Sequence, residues 1–235
     1  MVVGDSIPYN SPEDCPGCTG FVKRYADALA RATGRPVETT NLSQHNNLTL
    51  PGLVAELDQF EDQLSGADAI IVGIAHNSIA LNSEMPCGSR FDYATGELAD
   101  WAKVNQDCAN ASTAEYQPQF QQVFSEIAGW RSGRPTILLT INKYNDWIGW
   151  DNAPLTKAQE AKTALIHDSW NKVLCSTAVA NQFTCVDVYH AFNGPTGRRA
   201  AGGLLADDYT HPSEKGNKLI AKVLIAKGFS PLASP

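Results

Sequence analysis

Strand-length apolar runs alternate five times with stretches of helical periodicity, which predicts an α/β fold of three layers: a doubly wound, five-stranded parallel sheet with helices on both faces. The longer runs, Ala69 to Ile74 and Thr136 to Ile141, are largely aliphatic without polar alternation, as expected of strands buried on both sides. Parallel neighbours also need crossovers, and the intervening helical stretches supply them. For five strands the simplest doubly wound order is 2-1-3-4-5.

The first strand is Val2-Val3, and the first helix spans Phe21 to Thr33. Gly34-Arg35-Pro36 ends that helix with a glycine and then forbids its continuation. A second strand follows at Val37 to Thr40, a second helix at Leu53 to Leu64, and the third strand at Ala69 to Ile74. From about Asn82 to Ser112 runs an insertion with two cysteines and little regular pattern, a length usually functional or fixed by a disulfide. The third helix, Ala114 to Trp130, stops at Gly133-Arg134-Pro135 before the fourth strand, Thr136 to Ile141. The fourth helix spans Lys157 to Ala180, the fifth strand Cys185 to Tyr189, and the last helix Ser213 to Lys227, opened by Pro212 or Ser213. There is no repeat and no low-complexity linker, so one domain covering residues 1–235 is expected.

The 235 residues are 43% hydrophobic and 18% charged, enough to bury roughly 70% of the unfolded surface. Disorder is therefore excluded. No window reaches the ~18 consecutive apolar residues of a bilayer helix; the longest, Ala69 to Ala75, is interrupted by Gly73. Eighteen Lys and Arg against 25 Asp and Glu leave a net charge of −7, and no basic run could track a phosphate backbone, so nucleic acid is not an expected partner.

Cys15, Cys18, Cys87, Cys108, Cys175 and Cys185 are an even set without a second pair at metal-ligand spacing. Disulfides and an oxidising compartment are the expected consequence. Six cysteines allow fifteen connectivities; Cys15–Cys18, Cys87–Cys108 and Cys175–Cys185 are preferred only because each closes a short loop. Met1 leads straight into Val2-Val3-Gly4 without a basic and then apolar signal, so the chain reads as a mature form with an added start residue. Secretion is inferred from the cysteines, and a monomer is the expected form.

In an open parallel sheet the ligand sits beyond the carboxyl ends of the strands. The strand exits here are Gly4-Asp5-Ser6-Ile7, Asn41 to Asn47, Ala75-His76-Asn77-Ser78 and Asn142 to Asp151, with Asp207-Asp208-Tyr209-Thr210-His211-Pro212 before the last helix. They contain the parts of an acyl-transfer site, in which imidazole takes a serine proton and a carboxylate orients the imidazole. Ser6, His211 and Asp208 are the candidates, since one tight turn can present both side chains of Asp208-x-x-His211. Asp207 is the nearby competitor, four residues before the histidine. Ser6 N–H and the Asn77 amide are placed to hold a developing oxyanion, with a third donor from the loop after the second strand. Asp5 and His76 adjoin these residues and are expected to line the substrate pocket. Trp147 and Trp150 are expected to form an apolar or sugar-stacking wall. His45, His167 and His190 have no partner at catalytic spacing.

Gly4-Asp5-Ser6-Ile7 resembles the first block of the SGNH, or GDSL-type, hydrolases, and Asp208-Tyr209-Thr210-His211-Pro212 resembles their last. Asn77 lies where their third block places its asparagine. The resemblance runs in the family's order from residue 4 to about residue 222. It implies a flavodoxin-like fold and serine esterase or lipase activity without a cofactor or metal. In the third block Ala75-His76-Asn77-Ser78 lacks the family's glycine and aspartate. In the second, Asn41-Leu42-Ser43-Gln44-His45-Asn46 puts Asn46 where the glycine would be. Asparagine tolerates left-handed backbone angles, so Asn46 N–H is the expected third oxyanion donor.

Rival motifs are absent: there is no Gly-x-Ser-x-Gly elbow, no phosphate-binding Gly-Lys-Ser/Thr, no Gly-x-Gly-x-x-Gly and no His-Glu-x-x-His. Cys15-Pro16-Gly17-Cys18 has the spacing of a redox dithiol but lacks the strand directly before it. The expected reaction is hydrolysis of carboxylic esters through an acyl-enzyme, on short-chain acyl or acetyl esters of carbohydrates or small molecules. The alternatives are longer-chain lipase or phospholipase activity, or a catalytically weak carbohydrate- or lipid-binding module.

Overall fold

A computed structural model describes residues 1–78, 87, 91–92, 97–98, 101–151 and 154–233. In chain order the elements are β1 (Val2–Gly4), α1 (Ser6–Tyr9), α2 (Phe21–Thr33), α3 (Leu50–Glu56), α4 (Glu61–Ser65), β2 (Ala69–Gly73), β3 (Phe91–Asp92), β4 (Glu97–Leu98), α5 (Gln106–Ala114), α6 (Gln117–Trp130), β5 (Ile137–Ile141), α7 (Lys157–Ala180), β6 (Thr184–Val186), α8 (Val188–Asn193) and α9 (Glu214–Ile225). Among the described residues, β1, β2, β5 and β6 form one parallel sheet in that order, and β3 pairs with β4 apart from it. Val3 lies opposite Val72, Ile71 opposite Leu139, and Thr140 opposite Cys185.

The doubly wound order expected from the sequence is present, with its second strand reduced. Residues 37–40 form no strand; a single parallel bridge joins Asn41 to Val2. Val2 N–H donates to Thr40 O at 3.0 Å, and Leu42 N–H donates to Val2 O at 2.8 Å. With β1 only three residues long, little of its outer edge is left to pair.

Other boundaries move for local reasons. The expected fifth strand stops at Val186 because the Asp187 carboxylate accepts from His190 N–H and starts α8, making residues 188 and 189 helical. The expected helix over 53–64 starts earlier, where Thr49 caps α3 and Pro51 sits in the first turn, and is broken by a 3-10 turn at Leu57–Phe60. Within the insertion, Asn105 caps a regular helix, α5; residues 82–86, 88–90, 93–96 and 99–100 of that insertion lie outside the described part. Helix α7 has the expected bounds, opened by a Thr156–Gln159 capping box, and Ser213 caps α9.

Successive residues of each strand face opposite sides, and both sides are covered. Val3, Ile70 and Val72 pack with Leu50, Leu53, Phe120, Phe124, Trp170 and Leu174 of α3, α6 and α7. Val2, Ile71 and Leu139 pack with Phe21, Tyr25, Ile220 and Leu224 of α2 and α9. Each such aliphatic or aromatic side chain contributes roughly 1.5–3 kcal/mol when taken out of water, which fixes the strand register and so the spacing of the strand exits. The cysteines pair as Cys15–Cys18, Cys87–Cys108 and Cys175–Cys185. Among the described residues no helix is long and apolar enough to cross a membrane.

Candidate active site

The site begins where β1 meets its neighbour. A Cβ on Gly4 would stand 2.0 Å from Gly73 O, so only glycine lets the chain turn here against β2. Asp5 then caps α1: one carboxylate oxygen accepts from Ile7 N–H at 3.0 Å, and the other accepts from Ala75 N–H and His76 N–H, each at 3.0 Å. These bonds lock the exits of β1 and β2 together. Asp5 is fully buried and so does not line a substrate pocket, contrary to expectation. Burial pushes its pKa up, against the pull of the three N–H groups and of Lys143.

Ser6 is the first residue of α1, and its N–H belongs to the first-turn amides that have no acceptor within the helix. Its Oγ stands 2.9 Å from His211 Nε2, a partner 205 residues away.

The histidine is delivered by a tight, well-tied turn. Asp208 Oδ1 accepts from Thr210 N–H and His211 N–H, both at 2.9 Å, while Oδ2 lies 2.5 Å from His211 Nδ1. Tyr209 takes left-handed backbone angles, with φ 60°, to let the chain reverse between them. Outside the turn, Ala206 N–H donates to His211 O at 2.8 Å, and Asn217 on α9 donates from Nδ2 to Pro212 O while accepting from Phe21 N–H. Asp208, not Asp207, is thus the carboxylate on the ring.

Burial alone would lower the His211 pKa. The hydrogen bond and charge of Asp208, with the charges of Asp14 and Asp5, outweigh it and raise the pKa above 6.5. For Asp208 burial acts upward, but the bonds from His211 and the two N–H groups hold its carboxyl below the ordinary range.

The remaining expected residues separate into rim and core. Asn77, exposed at the exit of β2, donates from Nδ2 to Leu48 O at 3.1 Å, which leaves one amide hydrogen for another acceptor. Asn46 is exposed and donates from Nδ2 to Gln44 Oε1; the left-handed residue of this loop is its neighbour Asn47, with φ 60°. The loop is tied to β1 through Gln44 N–H, which donates to Gly4 O at 2.9 Å.

His76 does not line the site. It is 6% exposed, with its ring 4.4 Å from that of Tyr144. Burial, with the nearby Lys143 charge, holds this imidazole well below its ordinary pKa. Trp147 and Trp150, 1% and 6% exposed, form no exposed wall. Trp147 packs edge-on to His167, and Trp150 donates from Nε1 to Asp146 O and lies under Tyr209.

The reason for this last difference is a polar segment that folds inward. Lys143 N–H donates to Asn171 Oδ1 and Asn171 Nδ2 returns a bond to Lys143 O. Asn145 N–H and O are matched in the same way by Asn193. Two asparagines thus satisfy a buried backbone, and the indoles that follow are drawn in with it.

Two further residues, Asp14 and His45, stand beside His211. Asp14 Oδ2 is 3.4 Å from His211 Nε2, and His45 Nε2 is 3.0 Å from the same oxygen. They are 31 residues apart in the chain, a separation that carries no readable signal.

Comparison with known proteins places the fold and the family. The chain has the fold of the lipase Lip_vut3 from a goat rumen metagenome, at TM-score 0.73 and 17% identity over 98% of this chain and 97% of that one. It is similar to the acetylxylan esterase Axe2 from Geobacillus stearothermophilus, at TM-score 0.61 and 18% identity over 99% and 94%. It is also similar to phospholipase A1 from Streptomyces albidoflavus NA297, at TM-score 0.64 and 16% identity over 97% and 98%. No curated protein matches the sequence significantly. The model of the GDSL-like Lipase/Acylhydrolase family matches residues 2–219, nearly the whole chain from the turn before Ser6 to the helix after His211. The chain belongs to that family and is a carboxylic ester hydrolase.

Proposed function

We propose that Ser6 is the nucleophile, His211 the general base and Asp208 the residue that orients it, in hydrolysis of carboxylic esters through an acyl-enzyme. The observation that carries this reading is the unbroken contact from Ser6 Oγ to His211 Nε2 at 2.9 Å and from His211 Nδ1 to Asp208 at 2.5 Å. Ser6 Oγ attacks the ester carbonyl as Nε2 takes its proton. The imidazolium, held by Asp208, returns that proton to the departing alcohol, and a water activated by the same nitrogen releases the acid. Ser6 N–H and the free Asn77 amide hydrogen are assigned to the oxyanion, at roughly 3 kcal/mol of transition-state stabilisation for each donor; with the left-handed angles at Asn47, the expected Asn46 N–H is left out of this set.

Short acyl or acetyl esters of carbohydrates or small molecules are the substrates we favour. Among the described residues the large apolar side chains left exposed are Tyr9 and Val179, which gives no broad apolar face of the kind that settles on a lipid surface. Three disulfides support an extracellular setting, and we read residues 1–235 as one domain acting as a monomer. The test is hydrolysis of p-nitrophenyl esters of increasing chain length, and of acetylated xylan, by the wild type and Ser6→Ala. Fluorophosphonate should label the wild type and not the variant. Full activity in Ser6→Ala would overturn the mechanism, and rates rising with chain length would overturn the substrate class.

A further inference from the structure

Beside Ser6, three side chains of metal-ligating type converge. A carboxylate oxygen of Asp14, Nε2 of His45 and Nε2 of His211 lie within 4.8 Å of one another. We propose that they form a binding site for a divalent cation of the zinc class, and that its occupancy switches ester hydrolysis off. The inhibitory effect rests on the reading of His211 as the base; binding of the ion does not.

The spacing fits such an ion. Tetrahedral ligands about 2.0–2.1 Å from zinc stand roughly 3.3 Å from one another. Asp14 Oδ2 lies 3.0 Å from His45 Nε2 and 3.4 Å from His211 Nε2, so the carboxylate already spans two edges of such a tetrahedron. Two imidazoles and a carboxylate also suit zinc, copper or nickel, whereas calcium and magnesium favour oxygen alone.

Each ligand is held in place by other contacts. His211 is oriented through Nδ1 by Asp208, the carboxylate–histidine support common behind metal-binding imidazoles. The ring of His45 stacks on Tyr9, with centroids 5.5 Å apart and 20° between planes. Asp14 sits in a turn in which Ser11 O accepts from the N–H groups of Asp14 and Cys15, next to the Cys15–Cys18 disulfide. The fourth ligand is left to an oxygen, Ser6 Oγ or water. The consequence follows from one lone pair: Nε2 of His211 cannot hold a cation and accept the Ser6 proton at the same time.

The experiment is titration of the chelator-treated protein with zinc chloride by calorimetry, with cobalt(II) absorption as a report on geometry, run beside ester hydrolysis. The wild type should bind one zinc ion, show the visible bands of tetrahedral cobalt, and lose turnover in step with occupancy until EDTA restores it. His45→Ala should keep metal-free turnover and lose about tenfold or more in zinc affinity and in sensitivity to inhibition; Asp14→Asn provides a second ligand deletion should the first variant misfold. Ser6→Ala should be inactive and still bind zinc, so failure of the esterase reading and failure of the metal site give different results. Absence of binding at millimolar zinc, or binding unchanged in both His45→Ala and Asp14→Asn, would overturn the proposal.

Discussion

The hydroxyl of Tyr144 donates to Thr210 O at 2.6 Å, joining the exit of β5 to the turn that carries Asp208 and His211. Tyr144 is fully buried, with its ring stacked on Phe192, so the donor end of the bond is shielded while Thr210 is half-buried. Removing the hydroxyl leaves the half-buried Thr210 carbonyl short of that donor.

Tyr144→Phe is therefore expected to cost about 1–1.5 kcal/mol of stability and to lower kcat more than it raises KM, because the turn loses an anchor but keeps its chemistry. Urea unfolding and steady-state kinetics on p-nitrophenyl acetate measure the two effects. Unchanged kcat would show that the turn holds His211 without help from β5.

With His211 as the proposed base, its raised pKa should set the acid limb of activity. A base must be neutral to accept a proton, so kcat/KM should fall as the pH drops through a value above 6.5, the ordinary imidazole pKa. Asp14 is among the charges that raise it, so Asp14→Asn should move the limb toward lower pH while the plateau is kept. Metal-free pH profiles of the two proteins decide this; coincident limbs would remove Asp14 from the electrostatics of the base.

Much of this fold is legible in the sequence. Ile70 to Val72 and Ile137 to Leu139 are aliphatic because they are buried on both faces, and that alone places two central strands. The glycine at position 4 and the three-residue step from Asp208 to His211 report local backbone needs, so they too can be read locally. What stayed hidden depends on distant partners. Trp147 and Trp150 follow Asn142, Lys143, Asn145 and Asp146, a polar stretch that reads as solvated until Asn171 and Asn193 are seen to satisfy its backbone. The left-handed position of the second-block loop fell on Asn47 instead of Asn46, a one-residue difference that pattern matching does not resolve. Asp14 and His45 meet only because the loops after α1 and before α3 close over the same strand end.

Two buried histidines bear on stability instead of catalysis. Burial holds the pKa values of His76 and His167 well below 6.5, helped in both by the nearby Lys143 charge. The unfolded chain takes up protons at these sites below about pH 6.5 and the folded chain does not. Stability should therefore be full above that pH and fall as the solution is acidified, by up to about 1.4 kcal/mol per pH unit for each histidine. Urea midpoints between pH 7.5 and 5 measure the slope, and His167→Gln should flatten it. A slope that survives in that variant and in His76→Gln would place the acid sensitivity elsewhere.

The three disulfides should differ in weight. Their cysteines are separated by 3, 10 and 21 residues for Cys15–Cys18, Cys175–Cys185 and Cys87–Cys108. Loop-closure entropy in the unfolded chain grows with that separation, giving about 1.6, 2.7 and 3.3 kcal/mol in the order named. Serine pairs replacing each cystine, compared by urea unfolding, should rank accordingly. The Cys15–Cys18 pair should show a second effect that the others lack, because Asp14, the residue before Cys15, stands 3.4 Å from His211 Nε2: the acid limb of activity should move in that variant though its stability changes least. A variant in which stability and the acid limb shift together, in the same proportion for all three pairs, would mean that the short disulfide has no special hold on the site.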